Sequence, residues 1–148
     1  MKKIVSISAL ALVLSACDSG DAPTEYVFDL QSLKENPKKY TAGSTNPKAT
    51  LGCMFSSVLL LKENLKSVFA GEKPDLGAAK TPARIKVYED KIEWVDIGSS
   101  PIKNNKTTLA STRGKNITFN IERRDGSFSF VFKEDGMVCK LPFKKVEG

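Results

Sequence analysis

Two Asp-Gly pairs set among alternating apolar residues fix the register of the last third of this chain. Ile117, Phe119 and Ile121 alternate with Thr118, Asn120 and Glu122; beyond Asp125-Gly126, Phe128, Phe130 and Phe132 alternate with Ser127, Ser129 and Val131. A period of two marks strands with one buried face, and Asp-Gly favours a two-residue hairpin turn because both central positions take positive φ. Such a turn sets Arg124 opposite Ser127, Ile121 opposite Phe130 and Phe119 opposite Phe132. Asp135-Gly136 as a second two-residue turn sets Phe132 opposite Cys139, Phe130 opposite Leu141 and Phe128 opposite Phe143. Both turns put the apolar sets on one face. A slip of one residue in either would turn half of these side chains to water, so the spacing predicts a C-terminal three-stranded meander.

Upstream the signals are sparser. Arg84 to Tyr88 and Lys91 to Ile97 flank Glu89-Asp90, and a two-residue turn there pairs Val87 with Ile92 and Ile85 with Trp94, although it lacks glycine. Gly98-Ser99-Ser100-Pro101 and Lys103-Asn104-Asn105-Lys106 read as loop, followed by a short strand candidate from Thr107 to Thr112 closed by Arg113-Gly114. From Met54 to Phe69, Met54, Val58, Leu61, Leu65 and Val68 recur at helical spacing, and Gly71 is a stop signal. A buried strand through Leu51 to Leu61 is the competing reading of the same apolar run. Asp29 to Asn36 is a shorter helix candidate, capped by Asp29 and stopped by Pro37. A sheet with one apolar face must cover it. The expected fold class is therefore α+β: a twisted antiparallel sheet of five or six strands ending in the three-stranded meander, with one amphipathic helix packed on its inner face.

The first residues carry an address. Lys2 and Lys3 precede an apolar run from Ile4 to Leu14, a basic start and short greasy segment in the manner of a secretory signal peptide and too short for a permanent span. The run ends in Leu14-Ser15-Ala16-Cys17, which resembles the lipobox of bacterial lipoproteins. That resemblance implies cleavage before Cys17, a diacylglyceryl group on its sulfur and a fatty acyl chain, palmitate being one such, on its new amino group. Each buried methylene contributes ~0.8 kcal/mol, so two or more chains give stable attachment. Asp18, directly after the lipidated cysteine, implies inner-membrane retention in an enteric host, a signal that Ser19 leaves weaker. The expected organisation is a signal peptide over 1–16, a lipidated N-terminus and linker over 17–25, and one domain over 26–148.

Composition bounds the rest. The mature chain holds 132 residues with 21 basic against 17 acidic, a net +4, since Lys2 and Lys3 leave with the leader. One domain fits that length. The mild positive charge favours anionic head groups or an acidic partner, while an exported chain without a nucleic-acid-binding signature does not read as a nucleic-acid binder. With Cys17 assigned to lipid, Cys53 and Cys139 are an even pair in a chain sent to an oxidising space, and a disulfide stapling helix to sheet is expected. The redox alternative lacks a Cys-x-x-Cys spacing.

Histidine is absent, which removes the commonest general base, metal ligand and partner of a nucleophilic Ser or Cys. Ser56, Ser57, Lys62 and Glu63 read as a solvated helix face rather than an active site, and Asp90, Glu93 and Asp96 as solvated charge rather than a cation site, because strand alternation separates Glu93 from the other two. No catalytic residue, metal, cofactor or small-molecule substrate is indicated. The outer face of the meander is the candidate docking surface: Lys133, Lys140 and Lys144, with Arg123, Arg124 and Lys145 at its end, offset by Glu122 and Glu134. Lysines that merely solubilise the sheet and guard its edge are the bland account of the same residues. The expected function is a membrane-anchored, periplasm-facing, non-catalytic protein-binding module of inhibitor, immunity or exclusion type. An accessory subunit of an envelope assembly or stress pathway, or a small histidine-free hydrolase, are the alternatives.

Overall fold

The computed structural model describes residues 22–75, 77, 79–110, 116–124 and 126–147. The expected signal peptide, Cys17, Asp18, Arg113-Gly114 and Asp125 lie outside them. Eight strands run β1 (Thr24–Phe28), β2 (Arg84–Val87), β3 (Lys91–Trp94), β4 (Gly98–Lys103), β5 (Lys106–Ala110), β6 (Asn116–Arg124), β7 (Ser127–Glu134) and β8 (Met137–Lys145). Each pairs antiparallel with its sequence neighbour, and β1 also pairs with β8, closing an up-and-down barrel. The closed barrel overturns the expected α+β open sheet of five or six strands with a helix on its inner face. An apolar face can be covered by another element or by rolling the sheet until the face meets itself, and this chain does the second. Trp94, Phe119, Phe128 and Phe130 are all buried within it. At eight strands the interior is narrow enough for side chains to fill.

The pairings read across the C-terminal turns are present inside this barrel. Arg124 faces Ser127 and Ile121 faces Phe130; Phe132 faces Cys139, Phe130 faces Leu141 and Phe128 faces Phe143. Asp135 and Gly136 both take positive φ, 50° and 76°, as the turn requires. The β2–β3 hairpin also has the expected register, Val87 with Ile92 and Ile85 with Trp94. Two strands were not legible. β1 begins at Thr24, inside the stretch read as linker, and β4 occupies Gly98–Lys103, which read as loop. β4 lacks an apolar alternation because its buried inward position is Ser100, whose hydroxyl accepts the Trp94 indole N–H at 2.9 Å. Asn104 and Asn105, at φ 52° and 59°, form the turn to β5.

Between β1 and β2 lies an insertion with three helices: α1 (Leu30–Glu35), α2 (Ala49–Ser57) and α3 (Lys62–Phe69), with 3₁₀ turns at Pro37–Thr41 and Val58–Leu60. α1 is capped as expected, with the Asp29 carboxylate accepting from the Ser32 backbone N–H. The single helix expected from Met54 to Phe69 is broken. Leu61 is extended, and backbone bonds from Lys62 to Thr81 and from Ala83 to Leu60 tie the break to the segment that returns to β2. Buried Asn64 donates to the Val58 carbonyl across the break. Leu33, Cys53, Leu60 and Leu65 join the same core as the barrel rings, so the insertion plugs one end of the barrel. The antiparallel order then assigns the ends: the plug shares its end with the β3–β4 and β7–β8 turns, while the N-terminal entry into β1, the β2–β3, β4–β5 and β6–β7 turns and the exit from β8 share the other.

β1 covers only part of the β8 edge, pairing Tyr26, Val27 and Phe28 with Lys145, Lys144 and Phe143. The plug covers the rest. Ser44 Oγ both accepts from the Val138 N–H at 2.8 Å and donates to its carbonyl at 3.0 Å, and the N–H groups of Thr45 and Asn46 donate to the Gly136 carbonyl. A loop thus stands in for the missing length of strand, satisfying backbone groups that would otherwise be an open edge.

Candidate functional site

The expected basic face divides once the strands are in place. Along β8, Cys139, Leu141 and Phe143 point inward, so Lys140 and Lys144 point outward and Lys145 takes the inward parity at the barrel mouth, opposite Tyr26. On β6 the inward set is Phe119, Ile121 and then Arg123, whose guanidinium carbon lies 6.0 Å from the Phe128 ring centre. Arg124, Lys140 and Lys144 therefore share the outer wall, whereas Arg123 and Lys145 rim the mouth. Lys133 also points outward, nearer the plug end and diagonal to Lys140 across the β7–β8 pairing, and its charge adds to the Lys140 hydrogen bond in lowering the pKa of the Glu122 carboxyl. Four of the six therefore share the outer wall and two rim the mouth.

Part of that wall does form a groove. The 3₁₀ turn Pro37–Thr41 lies against β8 and encloses about 370 Å³ lined by Lys39, Tyr40, Glu122, Arg124, Ser129 and Lys140, with Asp29 at its edge. Its carboxylates are occupied internally. Lys140 Nζ is 2.9 Å from Glu122 Oε1, and that hydrogen bond holds the Glu122 carboxyl below its ordinary range; Asp29 is committed to Ser32. Lys39 and Arg124 take part in none of the ion pairs among the described residues. The groove can receive an acidic group, but Lys140 is already paired.

The surface that sequence reasoning missed is apolar. Leu51 and Phe55, one turn apart on α2, are 61% and 62% exposed, and Phe69 at the end of α3 is 38% exposed. Leu51 and Phe55 rise beside a hollow of about 280 Å³ shared with Gly52, Met137, Lys48 and Glu134. A Cβ on Gly52 would meet Met137 Sδ at 2.5 Å, so a larger residue there displaces the flexible Met137 side chain. The Cys53–Cys139 disulfide, with Cα atoms 5.3 Å apart, pins the same helix to β8. Cys53 lies in the middle of α2 rather than at the start of the expected helix. Its burial shows which side of α2 faces the core, and positions two before and two after it must then face away. The expected helix begins at Met54, after Cys53, so it left no place for that arithmetic.

A third opening lies where β4 and β5 diverge. Their described pairing is limited to Ile102 with Thr107 and Lys103 with Lys106, and Ser99, Pro101, Thr108 and Leu109 face Val68 and Phe69 across about 210 Å³. Of the acidic residues read as solvated charge, Asp96 lies 3.5 Å from Lys62 and Glu93 accepts from the Tyr88 hydroxyl. Glu63 closes the plug by accepting from the N–H groups of Lys80 and Thr81 and from the Thr81 hydroxyl. Those bonds, led by the Thr81 N–H, lower its pKa from 4.5 to about 2. Among the described residues no three His, Cys, Asp or Glu side chains converge as a metal site. No protein-family model, curated protein or solved structure matches this chain.

Proposed function

We propose that the chain is a lipid-anchored, periplasm-facing, non-catalytic protein-binding module of the inhibitor, immunity or exclusion type. The observation that carries this reading is the position of the apolar outcrop. Leu51, Phe55 and Phe69, the large exposed apolar side chains of the described residues, all lie on the helical plug, at the barrel end opposite the entry from Cys17. An anchored module meets its partner with the end that faces away from the membrane, and apolar residues on a disulfide-pinned helix form a preorganised anchor for such a contact. The ring-filled interior supports a surface function rather than a chamber for a small molecule.

The test compares capture of envelope proteins by wild type, by Leu51→Asp with Phe55→Asp, and by Lys133→Glu with Lys140→Glu and Lys144→Glu, at low and high salt. Loss with the first pair, insensitive to salt, supports docking at the plug. Loss confined to the charge reversals and abolished by salt moves the site to the basic wall; capture unchanged by both rejects the proposal. The anchor is tested separately. Cys17→Ser should leave the N-terminus unacylated and release the protein from membranes, and an unmodified, processed wild-type N-terminus in mass spectrometry would refute it. In an enteric host, Asp18→Ser should move the protein from the inner to the outer membrane.

A further inference from the structure

The barrel end where the chain enters β1 has its own chemistry. Four corners of the wall meet there: the β2–β3 turn, the β4–β5 turn, the β6–β7 turn, and the junction of the β1 start with the β8 exit. Three of the four present exposed cations in pairs, Lys103 and Lys106 at the second, Arg123 and Arg124 at the third, Lys144 and Lys145 at the last. None of the three described ion pairs involves these six residues. Glu122, Asp125 and Glu147 are the carboxylates nearest to them in sequence; Glu122 is engaged by Lys140 at 2.9 Å, and Glu25, at the same end, by Arg84 at 2.6 Å. The remaining corner, diagonally across the barrel from β6–β7, carries Glu89 and Asp90 with a single exposed cation, Lys91, and is net acidic.

We propose that this cationic rim is a docking surface for an anionic lipid bilayer, on which the barrel stands with its plug pointing outward. The inference rests on the anchored reading above. Asp18 to Pro23 separate the lipidated Cys17 from the first strand, and six residues span at most about 20 Å. The rim is the part of the barrel that this short tether brings to the head groups. Exposed lysines and arginines at a negative leaflet each contribute about 1 kcal/mol within a Debye length of the surface. The acidic Glu89-Asp90 corner is repelled by the same field, so the barrel stands tilted with that turn raised. A protein held so has its Leu51–Phe55 ridge presented to the periplasmic space rather than free to swing against the membrane.

The experiment uses the leaderless Cys17→Ser chain, whose strand pairings run from Thr24 to Lys145 without help from the lipid. Sedimentation is measured with vesicles of phosphatidylcholine and of an equimolar phosphatidylcholine–phosphatidylglycerol mixture. Wild type is expected to partition onto the anionic vesicles alone and to lose that binding as salt rises. Lys103→Glu with Lys106→Glu and Lys145→Glu should lower the partition coefficient at least about a hundredfold, with circular dichroism unchanged, and Lys34→Glu with Lys48→Glu and Lys133→Glu at the plug end should lower it far less. Equal losses from the two triple variants, equal binding to both vesicle types, or no binding by wild type would each overturn the inference. Mass spectrometry of the native N-terminus separates the two readings: an acylated Cys17 with no vesicle binding by the leaderless chain rejects the rim and keeps the anchor, and an unacylated N-terminus rejects the anchor whatever the rim does.

Discussion

The β6–β8 ladder and the plug between β1 and β2 bury their side chains in one core, yet they are held by different kinds of contact. In the ladder, ring packing follows from register: Phe119 stacks on Phe130 with centroids 5.1 Å apart, and Phe130 and Phe128 meet Phe143 at 5.0 and 5.8 Å. Each contact is set by its neighbours along the strand. In the plug the contacts are singular: one disulfide, one carboxylate closing a loop, one serine bonded to a strand edge, one buried asparagine across a helix break. The ladder is redundant locally and should fail as a whole; the plug is assembled from separate ties and should fail piece by piece.

The largest break in that contrast is expected from Phe130→Ala, which removes a fully buried ring in contact with those of Trp94, Phe119, Phe128 and Phe143. A loss of about 3–5 kcal/mol in urea unfolding is expected, with ladder and plug melting together. Reduction of Cys53–Cys139 comes next, at about 2–4 kcal/mol. Here the two regions should part: amides of α2 lose hydrogen-exchange protection while those of β6 and β7 keep theirs, and a uniform loss would erase the distinction. Thr107→Val should act in the opposite direction, by about 1 kcal/mol, because Thr107 Oγ1 is buried without a hydrogen-bond partner among the described residues. The smallest effect is local and pH-dependent. Glu63 titrates near 2 when folded against 4.5 ordinarily, so the tie it provides is fully present above about 4.5 and is lost as pH falls toward 2. Exchange protection at Lys80 and Thr81 should decline over that window in wild type and be low throughout in Glu63→Gln.

The same contrast explains what was legible. Alternation and turn chemistry are local, so the ladder register, the β2–β3 hairpin and the Asp29 cap could all be read from neighbouring residues. Closure could not, because nothing near Thr24–Phe28 announces that β8 is its partner. β4 was hidden by a polar interior residue, Ser100, whose place is set by the Trp94 indole. The helix break at Leu61 depends on Thr81 and Ala83, which are distant in sequence. Of the candidate site, the cations of the outer wall were legible as a group; their division between wall and mouth awaited the parity of each strand, and the Leu51–Phe55 ridge awaited the side of α2 that Cys53 occupies.

The seam between β1 and β8 sets a timetable as well as a shape. It joins Tyr26 to Lys145, nearly the whole domain apart, so it is the costliest pairing to reach from an open chain. A chain made from its N-terminus completes β1 first and its partner last. Until β8 arrives, β1 has one unsatisfied edge and the plug has no Cys139 to bond, so Cys53 must remain reduced or find a temporary partner. Barrel closure and correct disulfide pairing are therefore late events that arrive together, and an intermediate trapped before them would present both a free thiol and an open strand edge.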